Sequence, residues 1–426
     1  MRRILKNYKF TILLLGSIVL GAVVGILGGS KTAVLKPFGD LFLNLMFMII
    51  IPLVFFSVTS AIANMKGMKR LGSIMAGTFL VFIFTALVAS IIGFIGALAV
   101  NPAEGIDYST LKKIVADGNG AAQQVKQGGI LEQLVNTVTV SDFSSLLSKS
   151  NMLQLIVFSV LFGISTALLG EKAEPVAKFL AAASEVTMKM VNIVMYYAPI
   201  GLGCYFAAVV GSLGSQILQG YLRVFILYII IALVYYFGVF TLYAFLSGGK
   251  RAIGVFWKNA MMPTITALAT CSSAATIPVN LKFTKKMGVP EDVAETVIPM
   301  GANIHKDGSV IGGVMKITFL FGLFGKNMTS PSSILSIIFV AFLVGAVMAA
   351  IPSGGMIGEM LILSIYNFPP ELLPIIAVIS VIIDAPATVL NSTGNTVSSM
   401  MISRLVEGKQ WLLSTVKVQD NPGSHK

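Results

Sequence analysis

Residues Ala267–Asn280 read ALATCSSAATIPVN, and soon after them Met300–Val310 read MGANIHKDGSV. In the first stretch a Ser-Ser pair is flanked by apolar arms. Neither arm is long enough to cross a bilayer, whose hydrocarbon core takes about 20 helical residues. The stretch therefore reads as a helix–turn–helix that enters and turns back. The second stretch sets Asn303, His305, Lys306, Asp307 and Ser309 between apolar flanks. Charge and non-helical backbone at membrane depth are tolerated only where protein buries them or a polar cavity receives them. These residues fix the fold class as an all-α membrane protein with re-entrant segments.

The arrangement recurs. Residues 337–365 form a second short-armed unit around IPSGGMIG (Ile351–Gly358), followed by DAPATVLNSTGN (Asp384–Asn395). Two units, each a hairpin and then a helix with a polar break, predict an inverted repeat with a solute held between the halves.

The rest of the chain fits that frame. Of 426 residues, 56% are hydrophobic and 11% charged, too little charge to cover a soluble domain of this size. Apolar runs predict helices at about 10–29, 41–64, 74–100, 151–170, 176–211 and 221–247, the fifth bending at Pro199. The net charge of +12 sits in short clusters beside these runs: Arg2, Arg3, Lys6 and Lys9, then Lys66, Lys69 and Arg70, then Lys250 and Arg251. That pattern predicts a multi-pass protein of the cytoplasmic membrane with the N-terminus inside. No basic stretch is interleaved with stacking aromatics, so no nucleic-acid partner is expected. Cys204 and Cys271 lie in apolar stretches and are expected as free thiols. No small-residue cleavage site interrupts the first run, so it is read as a retained helix and not a signal peptide. The polar stretch from Asn101 to about Ser150 reads as an exposed outer loop, and the tail containing His425 as disordered.

Candidate functional residues cluster after residue 255. Asp384, Thr388, Asn391 and Asn395 are spaced i, i+4, i+7 and i+11, on one helical face that also carries Ala387. A carboxylate at that depth is a functional candidate by default; the plainer alternative is a structural pair with a membrane lysine. Lys306 and Asp307 either serve a ligand or neutralise one another, and Gly308 could open the helix there. Lys316 is a further buried candidate unless it snorkels to an interface. Ser272 and Ser273, at the predicted first tip, could hold a carboxylate at a helix N-terminus. Pro352-Ser353-Gly354-Gly355 has the conformational freedom of a gate. No nucleophile–base pair, metal-ligand set or nucleotide loop points to an enzyme, and no cofactor is expected.

These elements in this order, with the earlier IIIPLVFFSV, LIVFSVLFGIS and YYAPIGL stretches, resemble the glutamate/aspartate transporter family, the dicarboxylate/amino acid:cation symporters. The resemblance implies eight transmembrane helices and two re-entrant hairpins, an elevator mechanism and a homotrimer in the lipid bilayer. It divides the chain into scaffold helices at 1–72 and 151–215, and a third helix with the outer loop at 73–150. Helix six follows at 216–250, the transport core at 251–410 and a cytoplasmic tail at 411–426.

By that resemblance the substrate set is Ser272, Ser273, Ser309, Ile351, Gly355, Asp384, Ala387, Thr388 and Asn391. Asp384 matches the acidic residue that takes an α-amino group, and Asn391 the amide that holds an α-carboxylate. Ala387 stands where carriers of acidic amino acids have Arg, which disfavours glutamate and aspartate. The ion-coupling set, or what replaces it, is Phe82, Thr85, Gly301, Asn303, His305, Lys306, Asp307, Asn391 and Asn395, with Thr85-Ala86 matching a Thr-Ser pair. Where the family has Asn-Met-Asp this chain has His305-Lys306-Asp307, and Asn395 replaces an Asp. Losing a carboxylate ligand and gaining an ammonium imply impaired sodium coupling or none, so any metal is at most a weakly held Na⁺. Lys306 beside Asp307 would be the built-in cation, and a proton on His305 or Lys306 could drive transport. The expected function is transport of a small neutral amino acid such as serine, threonine or alanine, without sodium. The alternatives are a proton-coupled carrier of dicarboxylates or acidic amino acids, a sodium-coupled neutral carrier, and a channel or sensor.

Overall fold

The computed structural model describes residues 2–63, 69–100, 135, 139–148, 151–213, 216–348, 354–409 and 411–412. Nearly all of the polar stretch 101–150, Ile351 and the tail with His425 lie outside them. Among the described residues the secondary structure is helical throughout. Among those residues, five stretches are long and apolar enough to cross a membrane, Ile12–Ser60, Gly72–Ala99, Gln154–Met195, Ile217–Thr270 and Pro370–Glu407.

The first half is a set of long helices: α1 (Arg2–Gly28), α2 (Lys36–Ala63), α3 (Lys69–Ala99), α4 (Met152–Leu169), α5 (Glu174–Met195), α6 (Ala198–Leu213) and α7 (Gln216–Val234). The predicted bend near Pro199 is a break, with α5 ending at Met195 and α6 starting at Ala198. A proline at the second position of a helix forfeits no internal hydrogen bond, so the chain restarts there. Helix α6 lies along α1 and α2, and α2 also packs on α4 and α5. Glycines let α1 and α6 approach closely: a Cβ on Gly21 would lie 2.3 Å from the Gly203 carbonyl oxygen.

The second half is the core. A π-helical turn, Tyr235–Val239, joins α7 to α8 (Phe240–Thr270), which is interrupted by non-helical backbone at Gly248 and Gly249. Cys271 (φ 47°) reverses the chain, Ser272 caps the next helix, and α9 (Ser273–Lys286) returns alongside α8. This is the predicted first hairpin. Helices α10 (Glu291–Ile304) and α11 (Asp307–Leu323) are the two halves of the predicted broken helix. The second hairpin consists of α12 (Pro331–Val347) and α13 (Gly354–Ile365), and α14 (Leu373–Glu407) closes the chain.

One expectation is corrected here. DAPATVLNSTGN does not break its helix; α14 runs unbroken through Asp384–Asn395 with Pro386 inside it. Its polar groups therefore project from regular backbone, and only the first unit supplies an opened helix. The break in that unit is at His305 and Lys306, not at Gly308, which is already inside α11. Every residue of α11 is buried, and α14 is buried over most of its length. The two pack on each other, with α3, α7 and both hairpins around them.

Candidate functional site

The site is built on the gap between α10 and α11. His305 is extended (φ −106°, ψ 104°), and Lys306 (φ −136°, ψ 54°) precedes the first residue of α11. Successive side chains on extended backbone point to opposite sides. The two basic neighbours consequently enter different surroundings.

The His305 ring turns toward α3 and the C-terminal part of α14. Its Nε2 lies 2.7 Å from Thr85 Oγ1 and 3.3 Å from Asp307 Oδ1, and its Nδ1 lies 2.8 Å from Asn395 Oδ1. Phe82 stacks on the ring at 4.3 Å with a 20° interplanar angle. Tyr235, from the π turn, donates to Asp307 Oδ2 at 2.8 Å. Gly301 makes room for the amide, because a Cβ there would sit 2.3 Å from Asn395 Oδ1. The Thr85 hydroxyl donates to the Phe82 carbonyl at 3.2 Å, which leaves its oxygen to accept from the ring. Asp307 Oδ1 and Asn395 Nδ2 are buried and have no hydrogen-bond partner among the described residues, so the cluster is not fully satisfied.

Lys306 turns the other way. Its Nζ donates to Ser273 Oγ at 2.9 Å, and its charge interacts with Asp384 on α14. The expectation of Lys306 as a built-in cation beside Asp307 is thus corrected. His305, and not Lys306, lies beside Asp307, and the extended backbone carries Lys306 to the tip of the first hairpin. The plainer reading, in which Lys306 and Asp307 neutralise each other, also fails. Asp384 has Lys306 and Lys316 as its nearby cations but makes no ion pair within 4 Å among the described residues.

The remaining substrate candidates gather around the same gap. Asn391 and Ser309 form a reciprocal pair, with Ser309 N–H to Asn391 Oδ1 at 3.2 Å and Asn391 Nδ2 to Ser309 Oγ at 3.0 Å. Ala387 and Thr388 are buried one turn earlier on α14. Gly308 presses α11 against Ala387, since a Cβ on it would lie 2.4 Å from the Ala387 carbonyl oxygen. The Ser272 hydroxyl is spent as a cap, accepting from the Ala275 N–H at 3.3 Å, while Ser273 Oγ receives Lys306. Thr276 and Asn280 tie this hairpin to α14 by bonding to the Ser392 hydroxyl and carbonyl at 3.0 and 2.8 Å. Asn303 stands apart; it is exposed and donates back to Pro299 within its own helix at 3.1 Å. Cys204 and Cys271 are free thiols, as expected.

Two residues in this region escaped sequence reasoning. Tyr235 carried no signal, because a Tyr in an apolar helix reads as core. Glu359 did carry one, as the acidic residue in the apolar arm GGMIGEMLILSI. It pairs with Lys316 at 3.1 Å, so Lys316 does not snorkel but lies 2% exposed inside the core.

The comparisons with known proteins agree with this architecture. A family model described as "Sodium:dicarboxylate symporter family" matches residues 10–405. The proton/sodium-glutamate symport protein of Bacillus caldotenax is 29% identical over 93% of this chain and 95% of its own length. The proton/glutamate-aspartate symporter of Bacillus subtilis is 26% identical, covering 96% of this chain and 97% of the relative. The C4-dicarboxylate transport protein of Anaeromyxobacter sp. (strain K) is 30% identical, covering 95% of this chain and 91% of the relative.

Proposed function

We infer what this chain moves from the premise that it belongs to the sodium:dicarboxylate symporter family. The reading is a cation-coupled symporter of a small dicarboxylate or acidic amino acid, with the proton in place of sodium. The observation that carries it is the position of Lys306, whose buried ammonium stands at the first hairpin tip beside Ser273 and near Asp384. Ala387 lacks a cation for a distal carboxylate, and Lys306, held on Ser273 at the first hairpin tip, supplies one. A desolvated carboxylate–ammonium contact is among the stronger polar contacts available. This reverses the preference for a neutral solute that Ala387 alone suggested, and it accords with relatives named for glutamate and C4-dicarboxylates.

The proton reading rests on His305. Its ring fills the space among Thr85, Asn395 and Asp307, where a sodium ion would need oxygen ligands and negative charge. A tethered, hydrogen-bonded ring there competes with any free cation. By family membership we assign α8–α9 and α12–α13 as the re-entrant hairpins of an eight-span carrier. Helices α3 and α7–α14 form the moving unit of an elevator, α1, α2 and α4–α6 form a trimeric scaffold, and both termini are cytoplasmic.

The second reading, a carrier of serine, threonine or alanine, draws on one observation, the small side chain of Ala387 one turn along α14 from an Asp384 able to take an amine. Binding of aspartate, succinate and serine to purified protein, in sodium and in choline, separates the two. The first reading expects succinate and aspartate to bind equally in both salts, with Lys306→Met lowering their affinity about tenfold or more. Serine binding alone, or anion binding that requires sodium, overturns it.

A further inference from the structure

Glu359 has no role in the reading above. It is wholly buried on α13, and its Oε1 accepts from Lys316 Nζ at 3.1 Å and from the Ser380 hydroxyl. Its Oε2 is buried and makes no hydrogen bond among the described residues. Lys316 sits on a helix buried on every side and cannot carry its charge to water. That lysine also interacts with Asp384, one helical turn beyond Ser380, and Asp384 interacts in turn with Lys306. Buried Lys306, Lys316 and Glu359 and the half-buried Asp384 thus alternate in sign from the hairpin-1 tip to hairpin 2, with Lys316 and Glu359 the one pair in direct contact.

Among the described residues, the elements packed on α13 supply no further cation. Helix α11 brings Lys316, and α14 brings Ser380 and Asp384. Helices α4 and α12 carry no ionisable side chain, and the turn Pro370–Leu372 brings only Glu371, another acid.

The alternation is balanced only while the cavity holds no anion. A solute carboxylate on Lys306 draws that cation away from Asp384, which then depends on Lys316. Glu359 is left sharing its one cation, with one oxygen bare, in a medium that penalises an uncompensated charge. Neutralisation by protonation is the ordinary outcome for such a carboxylate.

We propose that Glu359 is the site at which this chain takes up a proton together with its anionic solute. The step is addition of a proton from water to the unpartnered Oε2, giving the neutral acid, and its return to water when the solute leaves. The proposal rests on the anionic-solute reading above. It places the coupled proton on the hairpin-2 arm, joined to the solute through Lys316 and Asp384.

The test counts protons taken up when aspartate or succinate binds to the purified, full-length protein, by calorimetry in buffers of different ionisation enthalpy. Wild type is expected to gain protons on binding, and Glu359→Gln to bind the same anions with about one proton fewer. Glu359→Asp, which keeps a carboxylate, retains the uptake. In proteoliposomes Glu359→Gln is expected to exchange solute yet fail to accumulate it on a proton gradient. Unchanged proton uptake in Glu359→Gln overturns the proposal. If that variant does not fold, Ser380→Ala keeps the acid and removes its donor. The pH dependence of anion binding then moves to higher pH, and an unmoved profile overturns the proposal. Wild type that binds serine alone removes the anionic reading, and this proposal with it. Anion binding with an unaffected Glu359→Gln removes only the proposal.

Discussion

The Lys306 ammonium and the Ser273 hydroxyl meet at 2.9 Å, joining the opened helix between α10 and α11 to the tip of the first hairpin. Both groups are nearly solvent-free, at 5% and 6% exposure. The contact orients a charge that would otherwise sample several rotamers. Ser273→Ala is expected to weaken succinate and aspartate binding by roughly three- to tenfold, the effect of losing one hydrogen bond to a charged group. Serine affinity should fall less. Equal losses for all three solutes would show that Ser273 only shapes the turn.

His305 Nδ1 and Asn395 Oδ1 lie 2.8 Å apart, where the proton-coupled reading has them stand in for a sodium site. The double variant His305→Asn/Asn395→Asp removes the ring and places a carboxylate opposite Asp307, restoring oxygen ligands and negative charge. Anion binding in that variant is expected to strengthen when sodium replaces choline, by tenfold or more (roughly 1.4 kcal/mol). A variant that binds well but ignores sodium would mean that the ring does not stand in for a cation.

Lys316 and Glu359 form a buried pair at 3.1 Å, with both side chains almost wholly enclosed. Breaking such a pair from one side leaves an uncompensated charge, at about 3–5 kcal/mol. Lys316→Met should therefore lower the thermal midpoint of the purified protein sharply, and Lys316→Met/Glu359→Leu should recover most of the loss. Equal destabilisation in both would assign the damage to packing.

Gly308 is needed where α11 crosses α14. An added Cβ would meet the Ala387 carbonyl oxygen at 2.4 Å and its Cα at 2.9 Å, and neither is a flexible group. Gly308→Ala should cost about 1–3 kcal/mol through overpacking. Gly254, with nothing within 4 Å of its Cβ direction, should accept Ala without loss. Thermal melting of the two variants side by side checks this.

Cys271 adjoins the same tip, partly exposed, in left-handed backbone (φ 47°) immediately before Ser272. In a Cys204→Ala background a maleimide should label Cys271, and bound aspartate or succinate should slow that labelling severalfold. Labelling indifferent to solute would place the binding cavity away from the first hairpin.

The membrane class, the first hairpin and the helix opened at HKD were legible because each is a local property. Hydrophobic length, a Ser-rich turn between short arms and charges amid apolar flanks all lie within a few tens of consecutive residues. The shared face of Asp384, Thr388, Asn391 and Asn395 was legible for the same reason, since helical spacing is also local. The expected break in DAPATVLNSTGN is absent because polar content does not by itself unwind a helix. A helix can present amides and a carboxylate to a neighbour and keep its own backbone bonds, as α14 does.

What the sequence determined by itself was the inventory: which charges lie at membrane depth, and on which elements. The tertiary structure alone decided their partners. His305 meets Thr85 across a sequence separation of 220 residues, and Lys316 meets Glu359 across 43. His305 and Lys306 are neighbours in the chain, yet extended backbone sends their side chains to opposite sides. Lys306 thereby reaches Ser273 at the first hairpin tip, and His305 reaches Thr85 and Asn395. The energy of a buried charge depends on what stands within a few ångströms of it, and only the packed helices fix that distance.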